Sequence, residues 1–323
     1  MGLESQIKLP IIEFSDENLK PGSSGWASAC IDVRRALEEY SCFVAKFEMP
    51  RQVRDAAFAG AEELFDLPTE VKLRNTSNKP YFEYLGQYKT QPLYESMGID
   101  HPTSVDATAI FNLFTIVLQL LEFYFVLIWT NISESAQGYS ELVSELEQAV
   151  ARMLFESYGV GYYHDYYSKN TNYLLRYFKY KEATMDKQRN EGLLPHTDST
   201  FFSIIQQGNV SGLQVKVKDD QWIDVPPSPT SFLFLAGEAL RGWSNDRISS
   251  CCHRVIRNEK AMRYSLGVFS FISGMVHILE ELGDEAHPIK YKPFDHFEFL
   301  HFVKLKLAMD PKACDLIKAF SGV

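Results

Sequence analysis

His196-Thr-Asp198 sets an imidazole and a carboxylate two residues apart. On a β-strand, side chains at that spacing leave the same face, so both can converge on one metal ion. Two protein donors bind a metal weakly. His253, in Cys252-His-Arg-Val255, offers a third from a later β-like run. Two imidazoles and one carboxylate leave the remaining positions of an octahedron open, which suits an Fe(II) site that O2 and a co-substrate must both reach. Alone, the His-x-Asp pair is a weak signal, because hydrogen-bonded His–carboxylate contacts are common without metal. Arg263-Tyr-Ser265 begins ten residues after His253 and changes that reading. Residues 263 and 265 again share a strand face. A guanidinium fork takes a carboxylate through two parallel hydrogen bonds, and the Ser hydroxyl adds another. The ordered set therefore describes an open metal site with a carboxylate receptor beside it.

The other histidines lack this context. His296 and His301 stand five apart, not four, and no His-Glu-x-x-His motif occurs. His101, His164, His277 and His287 have no suitable neighbours, so all six are read as structural or surface residues. Phe269 and Phe271 alternate on one face of a β-like run. Core packing is the favoured reading for them, and a wall of a substrate pocket is the other.

The elements that must position these groups follow from periodicity. Residues 8–14 form a short β-like run, and 20–24 a turn and helix cap. Trp26, Cys30, Val33, Leu37 and Tyr40 recur at helical spacing. Residues 52–65 give a second helix ending before Pro68. Residues 140–158 give a third, with Leu142, Leu146, Val150 and Leu154 on one face and Gly159 as its stop. Beyond residue 170 the texture changes. Residues 173–180, 199–206, 212–217, 221–225, 231–235 and 263–271 are short β-rich runs between turn residues, the pattern of a sandwich or barrel. Residues 294–319 return to a helical pattern.

Composition narrows the class. The chain has 323 residues, 46% of them hydrophobic, enough for a sizeable core. A formal charge of −10 without a basic cluster argues against nucleic acid or anionic membrane as partners. Five cysteines with no Cys-x-x-Cys spacing point to reduced thiols in a cytoplasmic setting. The first ten residues lack the apolar core of a signal peptide. Residues 110–129 are the exception, an apolar run of bilayer-spanning length. Asn112, Gln119 and Glu122 interrupt it, and a central acidic residue costs roughly 2.5–3.5 kcal/mol on insertion scales. A buried helix or aberrant insert is the preferred reading, and a membrane-anchored form the weaker one.

The sequence resembles the plant 2-oxoglutarate- and Fe(II)-dependent dioxygenases. It is most similar to the branch of glucosinolate alkenyl/hydroxyalkyl-producing enzymes, with gibberellin oxidases more distant. The motifs that carry this are Leu9-Pro-Ile-Ile-Glu-Phe-Ser15, Asn18-Leu-Lys-Pro-Gly22, Ala36-Leu-Glu-Glu-Tyr40, Leu194-Pro-His-Thr-Asp198, Trp243-Ser-Asn245, His253-Arg-Val255 and Lys292-Pro-Phe294. The resemblance implies an α+β, mainly β fold: a double-stranded β-helix, or jelly roll, with flanking N- and C-terminal helices. It divides the chain into a helical region 1–165 with one strand packing on the core, the jelly roll 166–280, and a helical segment 281–323. It implies Fe(II) on His196, Asp198 and His253, with no catalytic residue beyond these ligands. It also implies 2-oxoglutarate with its far carboxylate on Arg263 and Ser265, ascorbate as reductant, and a monomer. Tyr180 falls where the family often has the tyrosine of an Asn-x-Tyr motif on that same carboxylate, but the triplet here is Phe178-Lys-Tyr180. Gly237-Glu238 replaces the usual Gly-Asp, and residues 106–130 depart from the usual Trp-Pro-containing segment. The implied activity is hydroxylation, desaturation or a related oxidation of a small specialised metabolite or hormone-like substrate by O2, releasing succinate and CO2. An iron oxidase using ascorbate without 2-oxoglutarate is one alternative. An inactive binding homologue, its pocket blocked by the atypical segment, is the other.

Overall fold

The computed structural model describes residues 8–15, 19–87, 93–104, 124–182, 191–217, 220–257 and 261–323, with side chains of the helix that begins at Tyr124 described from Ile132 onward. Most of the 110–129 run lies outside the described residues. Among the described residues, no helix is long and apolar enough to cross a membrane.

The first part of the chain forms β1 (Ile11–Glu13), α1 (Ser24–Tyr40), β2 (Cys42–Lys46), α2 (Arg51–Asp66), α3 (Thr69–Lys72), β3 (Tyr94–Asp100), α4 (Tyr124–Ser157) and α5 (Tyr163–Asn170). The Ser23 side chain caps α1 by accepting from the Trp26 N–H at 3.1 Å. The helix buries Trp26, Ala29, Cys30, Val33, Ala36 and Leu37, and stops at Ser41, whose φ is 59°. The third predicted helix is longer than its apolar stripe, because no proline interrupts the residues before Ser140. It ends as expected near Gly159, which has φ +77°.

The second part forms β4 (Thr171–Tyr180), β5 (Glu191–His196), β6 (Phe202–Gln207), β7 (Leu213–Lys216), β8 (Trp222–Asp224), β9 (Ser231–Ala236), α6 (Glu238–Trp243), β10 (His253–Ile256), β11 (Arg263–Ile272), β12 (Met275–Val276), β13 (Phe294–Asp295), α7 (His296–Met309) and α8 (Leu316–Ser321). A seven-stranded sheet runs β1-β2-β9-β6-β11-β4-β3, and a four-stranded sheet runs β5-β10-β7-β8. All pairings except β1 with β2 are antiparallel. This is the expected double-stranded β-helix with flanking helices. β1, β2 and β3 all join the large sheet, so the N-terminal region contributes three strands where one was expected. β3 hides from pattern reading because its polar residues are buried with partners. Glu95, 3% exposed, meets Lys72 at 2.5 Å and the Tyr84 hydroxyl at 2.8 Å.

α1 and α2 pack on α4, which lies against β4, β6 and β11 on one face of the large sheet. β4 and β11 are therefore covered on both faces and read as nearly continuous buried runs. Trp243, fully buried, packs 4.9 Å from Phe155 and 5.9 Å from Phe201, joining α6, α4 and the start of β6. Its truncation to alanine would cost about 3–5 kcal/mol. The other face of the large sheet looks toward the small sheet across a cavity.

Candidate metal centre and carboxylate receptor

His196 closes β5 and His253 opens β10, and the two are partners in the antiparallel register. Their ring centroids lie 4.2 Å apart. The same-face argument for Asp198 needs correction, because β5 ends at His196 and Asp198 lies in the turn beyond it. That turn is set by main-chain bonding: the Asp198 carbonyl accepts the Glu238 N–H at 2.7 Å. The Ser203 hydroxyl then donates to Asp198 Oδ2 at 2.6 Å and aims the carboxylate.

His196 Nε2 lies 3.5 Å from Asp198 Oδ1, and His253 Nε2 lies 3.7 Å from Asp198 Oδ2. The three donor atoms fall within 4.8 Å of one another, too loose for strong hydrogen bonds and suited to a shared ion about 2.1 Å from each. Second contacts choose the tautomers. His196 Nδ1 meets the Leu194 carbonyl at 2.8 Å and His253 Nδ1 the Cys251 carbonyl at 3.2 Å. A carbonyl only accepts, so each Nδ1 carries the proton and each Nε2 turns a lone pair to the site. Burial alone would raise the Asp198 carboxyl, but the two imidazoles and the Ser203 hydroxyl hold it well below the usual range. Burial, then the neighbouring His196, pushes His253 down to about 4. The donor set is thus one carboxylate and two imidazoles, which fits a divalent cation.

Arg263 opens β11 and is 1% exposed. Its Nη1 donates to Ser265 Oγ at 3.1 Å and its Nη2 to Gln207 Oε1 at 3.0 Å. The guanidinium carbon sits 5.0 Å from the centre of the Tyr180 ring, on the residue directly opposite in β4. Nε has no partner, and no acidic side chain pairs with this guanidinium among the described residues. Burial lowers its pKa. A buried cation without a carboxylate is costly, and a ligand carboxylate is the partner its geometry fits.

The triad, Arg263, Ser265 and Tyr180 all line one cavity of about 350 Å³, so the sequence-derived set is brought together. Phe269 and Phe271 line it as well as packing in the core. Sequence reasoning missed Gln207, Ser203, Arg176 and the α7 residues Leu300, Val303 and Leu307. Gln207 ends an apolar strand, and its burial was the one available signal. His296 is structural: its Nδ1 accepts the Ile272 N–H at 3.0 Å and its Nε2 donates to the Ser199 carbonyl at 2.7 Å.

Comparison with known proteins extends this geometry. Residues 169–272 match the 2OG-Fe(II) oxygenase superfamily, and residues 9–111 match the N-terminal region described as non-haem dioxygenase in morphine synthesis. The Arabidopsis thaliana protein named "Probable 2-oxoglutarate-dependent dioxygenase AOP1.2" is 41% identical over 307 residues, covering 91% of this chain and 90% of that protein. The chain belongs to the 2OG-Fe(II) oxygenase superfamily. A second Arabidopsis relative, 2-oxoglutarate-dependent dioxygenase AOP3, is 29% identical over 98% of both chains. Both relatives are named as 2-oxoglutarate-dependent dioxygenases. Among solved structures, the rice dioxygenase for auxin oxidation shares the fold with a TM-score of 0.76 and 23% identity, over 98% of this chain and 100% of that one. The Arabidopsis auxin-oxidising dioxygenase in its 2-oxoglutarate complex matches with a TM-score of 0.72 and 25% identity, over 87% of this chain and 100% of that one. This 2OG-Fe(II) oxygenase is a 2-oxoglutarate-dependent dioxygenase, and its family implies Fe(II) and 2-oxoglutarate.

Proposed function

We propose that His196, Asp198 and His253 hold Fe(II), and that Arg263 and Ser265 receive the distal carboxylate of 2-oxoglutarate, with Tyr180 packed against the guanidinium. The observation that carries this is the buried Arg263 fork, without an acidic partner among the described residues, in the same cavity as three converging donors. Bound Fe(II) and 2-oxoglutarate supply O2 activation coupled to oxidative decarboxylation, giving succinate and CO2. The protein's groups do the rest. Both Nδ1 bonds keep the imidazoles in metal-binding form, Ser203 orients the carboxylate, and the apolar walls keep water from the reacting centre.

The substrate is a small specialised metabolite or hormone-like molecule, oxidised by hydroxylation, desaturation or a related step. Support comes from the apolar cavity, the AOP relatives and the auxin-oxidising structural neighbours. Residues 166–280 carry the iron and 2-oxoglutarate groups. The flanking units 1–165 and 281–323 supply substrate walls, through Tyr81, Leu85 and Tyr94 on one side and Leu300, Val303 and Leu307 on the other. The reading includes a cytoplasmic monomer with ascorbate as reductant and no nucleic-acid partner.

The test is anaerobic titration of Fe(II) and 2-oxoglutarate into the pure protein, following the weak visible charge-transfer band. The band is expected in the wild type and lost in both His253→Ala and Asp198→Ala. Its retention in both variants would sink the assignment. Succinate released in step with oxidised product separates this reading from an ascorbate-using oxidase.

A further inference from the structure

Arg176 stands on β4 directly between Gly98 of β3 and Gly267 of β11. Residues opposite one another in adjacent strands share a face, so this long side chain is flanked on both sides by positions without one. Both glycines are needed. A Cβ at Gly267 would meet the Phe269 ring at 2.6 Å, and one at Gly98 would collide with the Phe82 carbonyl. The second collision shows how closely the irregular chain at residues 81–85 crosses β3. That segment matters because Tyr81 and Leu85 form a wall of the cavity.

The guanidinium holds the same segment. Nη1 donates to the Tyr81 carbonyl, while Nη2 donates to the Glu83 carbonyl at 3.3 Å and to the Ser96 hydroxyl of β3 at 2.5 Å. Main-chain carbonyls outside regular structure need donors when buried, and one rigid fork reaches two of them. The outer side of the segment is held by different groups. Lys304 of α7 meets the Glu83 carboxylate at 3.1 Å, and the Phe82 ring lies 5.2 Å from Phe271 and 6.1 Å from Phe297.

We propose that Arg176 is a positioning residue that ties residues 81–83 to β3 and thereby fixes one wall of the substrate end of the cavity. This rests on the iron and 2-oxoglutarate reading only for which end of the cavity is the substrate's. With the fork bonded to this chain's own carbonyls, the Phe269, Phe271, Leu174, Leu300 and Val303 surface around it is apolar, and the part of the substrate it faces is a hydrocarbon or aromatic group.

The test uses the full chain and three amides that report on the segment. The Phe82 N–H bonds Lys79, the Tyr84 N–H bonds Asn75 and the Leu85 N–H bonds Ser96. In Arg176→Met, hydrogen exchange at these amides is expected to quicken about tenfold, as for loss of roughly one net hydrogen bond, while the β4–β11 ladder is unchanged. Arg176→Lys restores part of the protection, and Ser96→Ala, which removes one acceptor, shows a smaller rise at the same amides. The Fe(II)–2-oxoglutarate titration midpoint stays within about twofold of wild type, since none of the bonds concerned touches the receptor. For any compound the wild type oxidises, KM rises about tenfold with kcat changed less. Unchanged exchange at the three amides overturns the proposal, as does an equal rise along the ladder. A 2-oxoglutarate midpoint shifted by the same factor would place Arg176 in the co-substrate receptor instead. A KM effect limited to anionic compounds with exchange unchanged would make it an anion receptor. Failure of the iron reading shows separately, as absence of the charge-transfer band in the wild type.

Discussion

At the residue scale, the proposed carboxylate receptor has an internal ranking that kinetics can read. Arg263 offers a planar fork, and lysine at that position keeps the charge but loses the two-point geometry. Arg263→Lys is expected to raise the KM for 2-oxoglutarate about 30-fold, the loss of roughly 2 kcal/mol from a charge-assisted contact. Ser265→Ala removes one hydroxyl beside the guanidinium and is expected to cost about fivefold, near 1 kcal/mol. Tyr180→Phe keeps the ring under the guanidinium and should change the KM by only about twofold. Steady-state succinate assays on the three variants give the order directly. An unchanged KM in Arg263→Lys would remove Arg263 from the receptor. His196 and Arg263 were legible in the sequence because metal donors and guanidinium forks announce their chemistry by type. Gln207 and Ser203 were not, because amides and hydroxyls occur everywhere and acquire a role only from what they touch.

At the element scale, α4 is joined to the sheet by a buried polar cluster outside the cavity. Glu147 is fully buried and accepts from the hydroxyls of Tyr167 on α5 and Tyr173 on β4, the latter at 2.7 Å, and from Gln148 at 3.2 Å. Ser270 of β11 donates its hydroxyl to the Tyr167 oxygen at 3.2 Å. Burial pushes the Glu147 carboxyl up to about 7, against the lowering effect of its hydroxyl and amide donors. The sign follows from linkage. A carboxyl raised on folding contributes its stability fully below its ordinary value near 4.5, and the contribution is lost as pH rises through about 7. Urea unfolding should therefore show a stability falling by up to about 3 kcal/mol between pH 5 and pH 8.5, a difference that Glu147→Gln abolishes. Equal slopes for wild type and variant would disprove the link. The helix itself was predictable from Leu142, Leu146, Val150 and Leu154. Glu147 was not, since a glutamate in an amphipathic helix ordinarily faces water.

At the scale of the whole molecule, the groups proposed to hold metal and co-substrate lie on both sheets. His196 and His253 belong to the four-stranded sheet and Arg263 and Ser265 to the seven-stranded one. A ligand that engages both sheets stabilises their pairing. At concentrations 100-fold above its Kd, each independent ligand adds about 2.7 kcal/mol. Adding Fe(II) and 2-oxoglutarate together under anaerobic conditions should raise the Tm by about 5–10 °C, with chelator reversing it. Either one alone should give less. The opposite pattern, equal protection by 2-oxoglutarate in the His253→Ala variant, would mean that the co-substrate does not use the metal. The expected monomer is checked by light scattering at assay concentration.

The chain order of donors, the helical first part and the β-rich second part were readable from residue type and period, because each is a local property, whereas the pattern alone stopped at a sandwich or barrel and the jelly roll came from the family resemblance. Tertiary structure decided the rest. Asp198 reaches the two imidazoles from a turn held by α6, not from the strand face that its spacing implied. β3 joins the large sheet despite a polar sequence, because Lys72 and Tyr84 satisfy Glu95 from elsewhere in the chain. Cavity walls, proposed to face the substrate, come from residues 81–85 and α7, more than 200 residues apart in the chain. Such positions carry no periodic or chemical mark. Their role arises only when folding closes the cavity between two sheets and leaves those side chains as its lining.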